Sequence, residues 1–367
     1  MKVPYVNLGE QHRRLETALT EAVREVLRHG QFILGPEVAE LERRLASFIG
    51  VPYVIGVANG TDALVIALGA HGIGSGDEVI TVSHSFVATA SAICLVGARP
   101  VFVDIDAETM VMDPSKLTAA ITEKTKAVMP VHLNGYPCDM DAIREICGEH
   151  GLVLIEDCAQ AIGARYRGRH VGTFGTGCFS LHPLKILSAC GDAGFITTNS
   201  DVLAEKLRQW RNLGLRDRDH CVIISGNSRL DTIQAAMLLV KLAHFQDWLE
   251  TRAAHAAAYR HGLKGLVTLP PSAPHIQEVY SAFVIRHPRR DDLIGHLRAA
   301  GIDAKIHYPL AIHQQPAFAN FAHPDLPVTE RTVDRMISLP VTPEMSEDDR
   351  AGVIASIRHA VEVFAHA

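Results

Sequence analysis

Val153-Leu154-Ile155-Glu156-Asp157-Cys158-Ala159-Gln160 is a short apolar run that ends in two acids. Its length and apolar start predict a strand buried on both faces, with Asp157 at its carboxyl end. Runs of the same kind precede it at residues 53–57, 78–82, 101–104 and 127–132. Between them lie stretches with helical spacing, at 62–70, 87–96, 114–121 and 140–149. Such alternation predicts a largely parallel sheet covered by helices on both faces, an α/β fold.

Working outward, residues 8–28 repeat Leu15, Leu19 and Val23 at helical spacing, and Gly30 suits a left-handed cap. A second helix opens at Pro36, a good first helical residue, and runs through Val38, Leu41 and Leu45 to Gly50. Beyond Asp157 the order loosens into short strands at 178–181 and 194–198, then helices at 202–212 and 230–245 and a third after Asp247. After the loop Pro270-Pro271-Ser272-Ala273-Pro274, strands at 280–287 and 303–308 and helices at 291–300 and 347–364 predict a smaller α+β domain. The boundary is placed near residue 246, giving a large domain, 1–245, and a small one, 246–367.

The chain has 367 residues, 47% of them hydrophobic and 21% charged, enough to bury a substantial core. A formal net charge of −6 argues against a nucleic-acid surface. Met1-Lys2-Val3-Pro4-Tyr5-Val6-Asn7 lacks the apolar stretch of a secretory signal, and no apolar run is long enough to span a bilayer. A soluble, cytoplasmic chain is therefore expected. Seven cysteines form no C-x-x-C pair and read as reduced core thiols; 20 histidines form no H-E-x-x-H, so no metal site is expected.

Open α/β sheets hold ligands beyond the carboxyl ends of their strands. Four clusters fall at such ends. Asn59-Gly60-Thr61-Asp62 opens a helix, where exposed N–H groups suit a phosphate; taken alone, it reads as well as an ordinary helix cap. Phe86, in Ser83-His84-Ser85-Phe86, has the flat face to stack on a heteroaromatic ring, or is a core residue. Asp157, followed by Gln160, is costly to bury without a cation, which a protonated pyridine nitrogen would supply; a helix cap is the alternative. Lys185 closes Phe179-Ser180-Leu181-His182-Pro183-Leu184-Lys185 and precedes Gly191-Asp192-Ala193-Gly194. A lysine able to form a Schiff base, an acid for a ring nitrogen and a Ser180 hydroxyl for a phosphate are the minimum for pyridoxal phosphate chemistry.

With these clusters in this order the chain resembles the DegT/DnrJ/EryC1/StrS sugar aminotransferases, pyridoxal phosphate enzymes of fold type I. The resemblance rests on Gly30 to Val38, Ala58 to Leu64, Gly74 to Asp104, Ile155 to Gln160, Phe179 to Gly194, Asn227 to Asp231, and His307-Tyr308-Pro309 with Gln315 to Phe318. It implies that Lys185 holds the cofactor as a Schiff base, Asp157 pairs with the ring nitrogen, and Gln160 lies beside the ring hydroxyl. It further implies that Phe86 stacks on the ring and that Gly60, Thr61 and Ser180 bind the phosphate. Asn227 would reach the neighbouring subunit's phosphate, which implies a homodimer with shared sites.

Arg229, His307 and Tyr308 are implied near the amino donor or sugar, and Gln31, Phe32 and His313 are further candidate contacts. Two departures stand out: Ala193 replaces a common glycine, in a turn where alanine resists positive φ, and Ser225-Gly226 alters the cross-subunit loop. The implied reaction is transamination from L-glutamate or glutamine to a keto sugar linked to a nucleotide; the alternatives are a cyclitol or a non-nucleotide keto sugar as acceptor, or a non-catalytic relative that binds or regulates. The related dehydratase branch has histidine in place of the lysine, so Lys185 argues for amino transfer.

Overall fold

The computed structural model describes residues 2–366. Two amphipathic helices come first, α1 (Leu8–His29) and α2 (Pro36–Ile49); Gly30 ends α1 at φ 71°, as its position predicts. Then follow β1 (Tyr53–Val57), α3 (Gly60–Ala70), β2 (Glu78–Val82), α4 (Ala88–Leu95), β3 (Arg99–Val103), α5 (Leu117–Ala120), β4 (Thr125–Val128), α6 (Met140–His150) and β5 (Val153–Asp157). The short β6 (Arg165–Tyr166) and β7 (Arg169–His170) precede β8 (Thr176–Ser180), β9 (Gly194–Thr198), α7 (Asp201–Trp210), α8 (Thr232–Leu242) and α9 (Phe245–Gly262). The rest is β10 (Ile276–Gln277), β11 (Phe283–Arg286), α10 (Arg290–Ala299), α11 (Pro327–Val333), β12 (Met336–Leu339) and α12 (Glu347–Ala365).

The main sheet has the order β1-β9-β8-β5-β4-β2-β3. Strand β9 pairs antiparallel with both β1 and β8, while the remaining pairings are parallel. The carboxyl ends of β1, β2, β5 and β8 therefore share one edge. Helix α3 is buried on most of its surface, which its nearly continuous apolar sequence requires. It packs against β8, α4 and α7 and delivers its N-terminus to that edge. Among the described residues no helix is long and apolar enough to cross a membrane.

Beyond α9, β11 and β12 pair antiparallel and pack with α10 and α12 around Phe283, Leu293, Ile337 and Ile357. Val3 is buried in the same cluster and bridges to Ile302, so the chain's beginning packs with its C-terminal part. Residues 303–308, expected as a strand, form only an isolated bridge between Lys305 and Ser338. The thiols divide: Cys138, Cys147, Cys158 and Cys178 are buried as expected, whereas Cys190 and Cys221 are exposed. Ala193 is buried without positive φ, so its methyl group meets no backbone strain.

Glu156 points away from the ligand edge. Its carboxylate accepts N–H bonds from Gly172, Phe174 and Gly175, each at 2.8 Å. His132 Nε2 joins it at 3.1 Å, while Nδ1 accepts the Cys138 amide at 3.0 Å, which leaves the ring proton on Nε2. Cys158 Sγ lies close enough to complete a set of metal-ligand types with His132 and Glu156. The Glu156 oxygens are already filled by these donors, and the cluster serves to tie β5 to the 172–175 turn.

Candidate active site

The cradle at the end of β1 follows from how α3 begins. Asn59 caps the helix, its Oδ1 accepting the Asp62 amide at 2.8 Å and its carbonyl the Ala63 amide at 3.1 Å. The first two amides, of Gly60 and Thr61, have no acceptor among the described residues. Two free donors at the positive end of a helix dipole suit an anion such as a phosphate. Ser180, at the end of β8, stands directly against them, since a Cβ on Gly60 would lie 2.6 Å from Ser180 Cβ.

That distance makes a prediction. Gly60→Ala pushes Ser180 aside and fills the cradle, and overpacking of this kind costs about 1–3 kcal/mol. The dissociation constant of a phosphate-bearing cofactor, titrated into apoprotein, should rise about 10- to 100-fold.

At the end of β5, Asp157 is only 4% exposed. Its Oδ2 accepts the Thr89 hydroxyl at 2.8 Å, and its Oδ1 accepts the Ala159 amide at 3.1 Å. Ser85 and Thr89 share a 2.7 Å hydroxyl contact, so a buried relay runs from the β2 loop to the carboxylate. Burial outweighs these bonds and raises the Asp157 pKa, although the charge of Lys185 pulls it down. Among the described residues no cation is in direct contact with the carboxylate.

Lys185 follows β8 and is anchored by its own amide on the His182 carbonyl at 2.8 Å. Burial lowers its pKa, opposed by the charge of Asp157, so each group feels the other across the site. Burial is what weakens the ammonium and lets a lysine work as an amine, and the Asp157 carboxylate works against it.

Phe86 is 50% exposed and packs its ring 5.4 Å from that of Tyr308. Gln160 spans the floor: its Oε1 accepts the Asn134 amide at 2.7 Å and its Nε2 donates to the Tyr308 hydroxyl at 3.2 Å. Tyr308 is pushed up to about 12 by burial and by Asp157, and stays a neutral phenol. His307 is held down at about 4 by burial and by the nearby charges of Lys185 and Lys305. Its Nδ1 lies 3.1 Å from the Ser338 hydroxyl and 3.5 Å from that of Tyr5.

The fold thus gathers Gly60, Thr61, Phe86, Asp157, Gln160, Ser180, Lys185, His307 and Tyr308 at one edge. Gln31, Phe32 and Asn227 are exposed, and among the described residues no hydrogen bond ties them to this group. Arg229 is half-buried and donates to Asn212 Oδ1 at 3.2 Å. Ser228 links that segment to the cradle, donating to Asp62 at 2.7 Å and accepting the Ala58 amide at 3.2 Å. His313 is buried with both ring nitrogens engaged, by Ser83 and Glu330, and offers nothing to a ligand.

Thr89, Ser85 and Tyr5 carry weight that the sequence did not assign them. Thr89 stands three residues after Phe86, a helical spacing that hints at a shared face; Tyr5 gives no local signal.

These residues fit pyridoxal phosphate on grounds of this structure: a cradle of free amides that a single Cβ would block, a buried carboxylate short of a cation, and a lysine of lowered basicity facing it. The sequence profile of the DegT/DnrJ/EryC1/StrS aminotransferase family matches residues 13–358. A protein of Geobacillus stearothermophilus named as a pleiotropic regulatory protein is 44% identical, with all of both chains covered. The UDP-2-acetamido-2-deoxy-3-oxo-D-glucuronate aminotransferase of Pseudomonas aeruginosa is 43% identical over 93% of this chain and 95% of its own. Among solved structures, S. venezuelae DesV in complex with a ketimine intermediate superimposes with a TM-score of 0.96 at 41% identity, covering 98% of this chain and 99% of DesV.

Proposed function

Because this chain belongs to the DegT/DnrJ/EryC1/StrS aminotransferase family, we propose that it moves an amino group from L-glutamate to a keto sugar carried on a nucleotide. The enzyme is a pyridoxal-phosphate-dependent transaminase of the α/β fold expected from its sequence. The observation that carries the reading is the gathering of buried Asp157, Lys185 and the Gly60–Ser180 cradle at the carboxyl ends of β5, β8 and β1. A non-catalytic regulator would have no use for that pair.

Pyridoxal phosphate, when bound, supplies an aldehyde for amine exchange and a ring that takes up the electron pair of a broken C–H bond. The Gly60 and Thr61 amides and the Ser180 hydroxyl would hold its phosphate. Asp157 would hold a protonated ring nitrogen, with Thr89 and Ala159 fixing the carboxylate in place. Lys185 would hold the cofactor through its side-chain amine. Its Nζ, when free, would take up and return the proton of the donor carbon, a task for which a weakly basic amine is suited. Phe86 and Tyr308 would flank the ring and limit water. Neutral His307 can bond a substrate hydroxyl without adding charge. The second half-reaction uses the same groups in reverse order.

A keto sugar linked to a nucleotide is favoured by the Pseudomonas relative, whose name specifies a 3-oxo UDP-sugar. A homodimer is supported by exposed apolar side chains: Phe32, Ile33 and Leu34, with Ile33 bridged to Asp231, and Leu213, Val222 and the 96%-exposed Ile224 in the segment before it. Exposed apolar groups of this number suit a second copy of the chain. Asn227, on the same segment, would then approach the partner's phosphate.

The test is a screen of nucleotide-linked keto sugars, free keto sugars and keto cyclitols against glutamate and glutamine, following 2-oxo acid release. Turnover is expected with glutamate and a nucleotide-linked ketone. Equal or faster turnover of a free sugar or cyclitol would overturn the nucleotide assignment.

A further inference from the structure

Ser83 lies one residue beyond β2 and is fully buried. Its carbonyl accepts the Ile312 amide at 2.9 Å, its Oγ accepts the His313 amide at 3.0 Å, and Oγ lies 2.7 Å from His313 Nδ1. The far side of the ring fixes who donates. Nε2 faces Glu330 Oε1 at 3.2 Å, and a carboxylate only accepts, so Nε2 carries the proton and the Ser83 hydroxyl donates to Nδ1. Burial, with the His323 ring at 4.5 Å, holds His313 below the usual histidine range and keeps it neutral, against the pull of Glu330 and Asp104.

The neighbouring strand repeats the arrangement. Val82 of β2 pairs with Val103 of β3 on the last rung, and Ser83 and Asp104 are the residues that follow on each strand. Asp104 accepts the amides of Val328 at 2.9 Å and Thr329 at 2.8 Å, and the Thr329 hydroxyl at 2.7 Å. It thereby holds the start of α11, which carries Glu330. Residues 312–330 are pinned at both ends to adjacent strand ends. Just before the first pin come His307 and Tyr308, the latter packed on Phe86 and bonded to Gln160.

We infer that Ser83 and His313 are positioning residues for the amino acceptor: they clamp the 307–313 loop to the sheet edge and so set where Tyr308 and His307 stand beside Phe86. The inference rests on the site being one for a keto sugar. Neither residue touches the reacting atoms. A loosened clamp lets the loop drift, which weakens the grip on a bulky acceptor while the Asp157–Lys185 chemistry continues.

In the holoenzyme, Ser83→Ala and His313→Leu are each expected to raise the acceptor KM about tenfold, the size of effect of one lost buried hydrogen bond. The half-reaction with the amino donor should stay within about threefold, as should the cofactor dissociation constant. His313→Asn, whose amide oxygen can take the place of Nδ1, should recover most of the KM. Unchanged acceptor KM in both variants, or a parallel loss of donor reaction and cofactor, overturns the assignment.

Hydrogen exchange gives a readout that needs no sugar. Protection of the 306–316 peptide should fall in Ser83→Ala while that of 88–95 persists, and equal protection in 306–316 rejects the clamp. Should the wild-type enzyme accept no keto sugar, the acceptor reading fails and this exchange result still decides the clamp. If Ser83→Ala does not fold, His313→Asn and His313→Leu decide it by the same two measurements.

Discussion

Lys185→Ala is expected to abolish turnover, with kcat lowered by at least about 10⁴-fold, because one side chain performs two tasks. A positioned general base alone contributes up to about 10⁴-fold, and the covalent hold on the cofactor adds to it. No neighbour can substitute. His307 is held at about 4 by burial and nearby lysine charge, and Tyr308 is held at about 12, so neither is an amine nor a base of suitable strength. Steady-state assay of the purified variant checks this, together with borohydride labelling of the wild type. Label should appear on Lys185 and disappear in the variant. Appreciable catalysis by Lys185→Ala would reject the assigned role.

Asp157→Asn should lower kcat/KM by about 10²- to 10³-fold, the consequence of removing one member of a buried ion pair worth about 3–5 kcal/mol. Asparagine keeps the size and can still accept from Thr89 or Ala159, so the fold should survive. It cannot neutralise a cation. A pH signature accompanies the loss. Burial raises the Asp157 pKa above the usual value of 3.8. For an acid raised in the folded state, the unfolded chain releases its proton first, so the apoprotein loses stability as pH climbs through the window that opens near 3.8. A bound cationic ring removes that penalty. The rise in Tm on adding cofactor should therefore be larger at pH 7 than near pH 3.8 in the wild type. In Asp157→Asn the difference should shrink, and an unaltered difference would show that another group sets it.

Much of this site was legible along the chain because the chemistry clusters locally. Asn59-Gly60-Thr61, Asp157 with Gln160, and Ser180 with Lys185 each sit within a few residues of a strand end. The strands themselves show as continuous apolar runs. What escaped the sequence were pairings between distant residues. Gln160 was expected beside the ring hydroxyl, yet its amide also braces Tyr308, 148 positions away. Thr89 lies 68 positions from the carboxylate it supports, and Tyr5 302 from His307. His313, a candidate sugar contact by composition, is spent on Ser83 and Glu330.

The sequence by itself determined the alternation of buried strands and helices, the helix-opening turn at Gly60, and a lysine and an aspartate suited to pyridoxal phosphate. Periodicity records which face of each element is apolar, and that is a property of neighbouring residues. Only the tertiary structure decided that β9 runs against its neighbours, that β2 and β3 lie side by side at the sheet's edge, and that the 307–313 loop folds back onto them. Many strand orders satisfy the same apolar pattern, because long crossovers allow a strand to land beside any other. Pairings between residues far apart in the chain, such as Thr89 with Asp157 and Ser83 with His313, single out one of them.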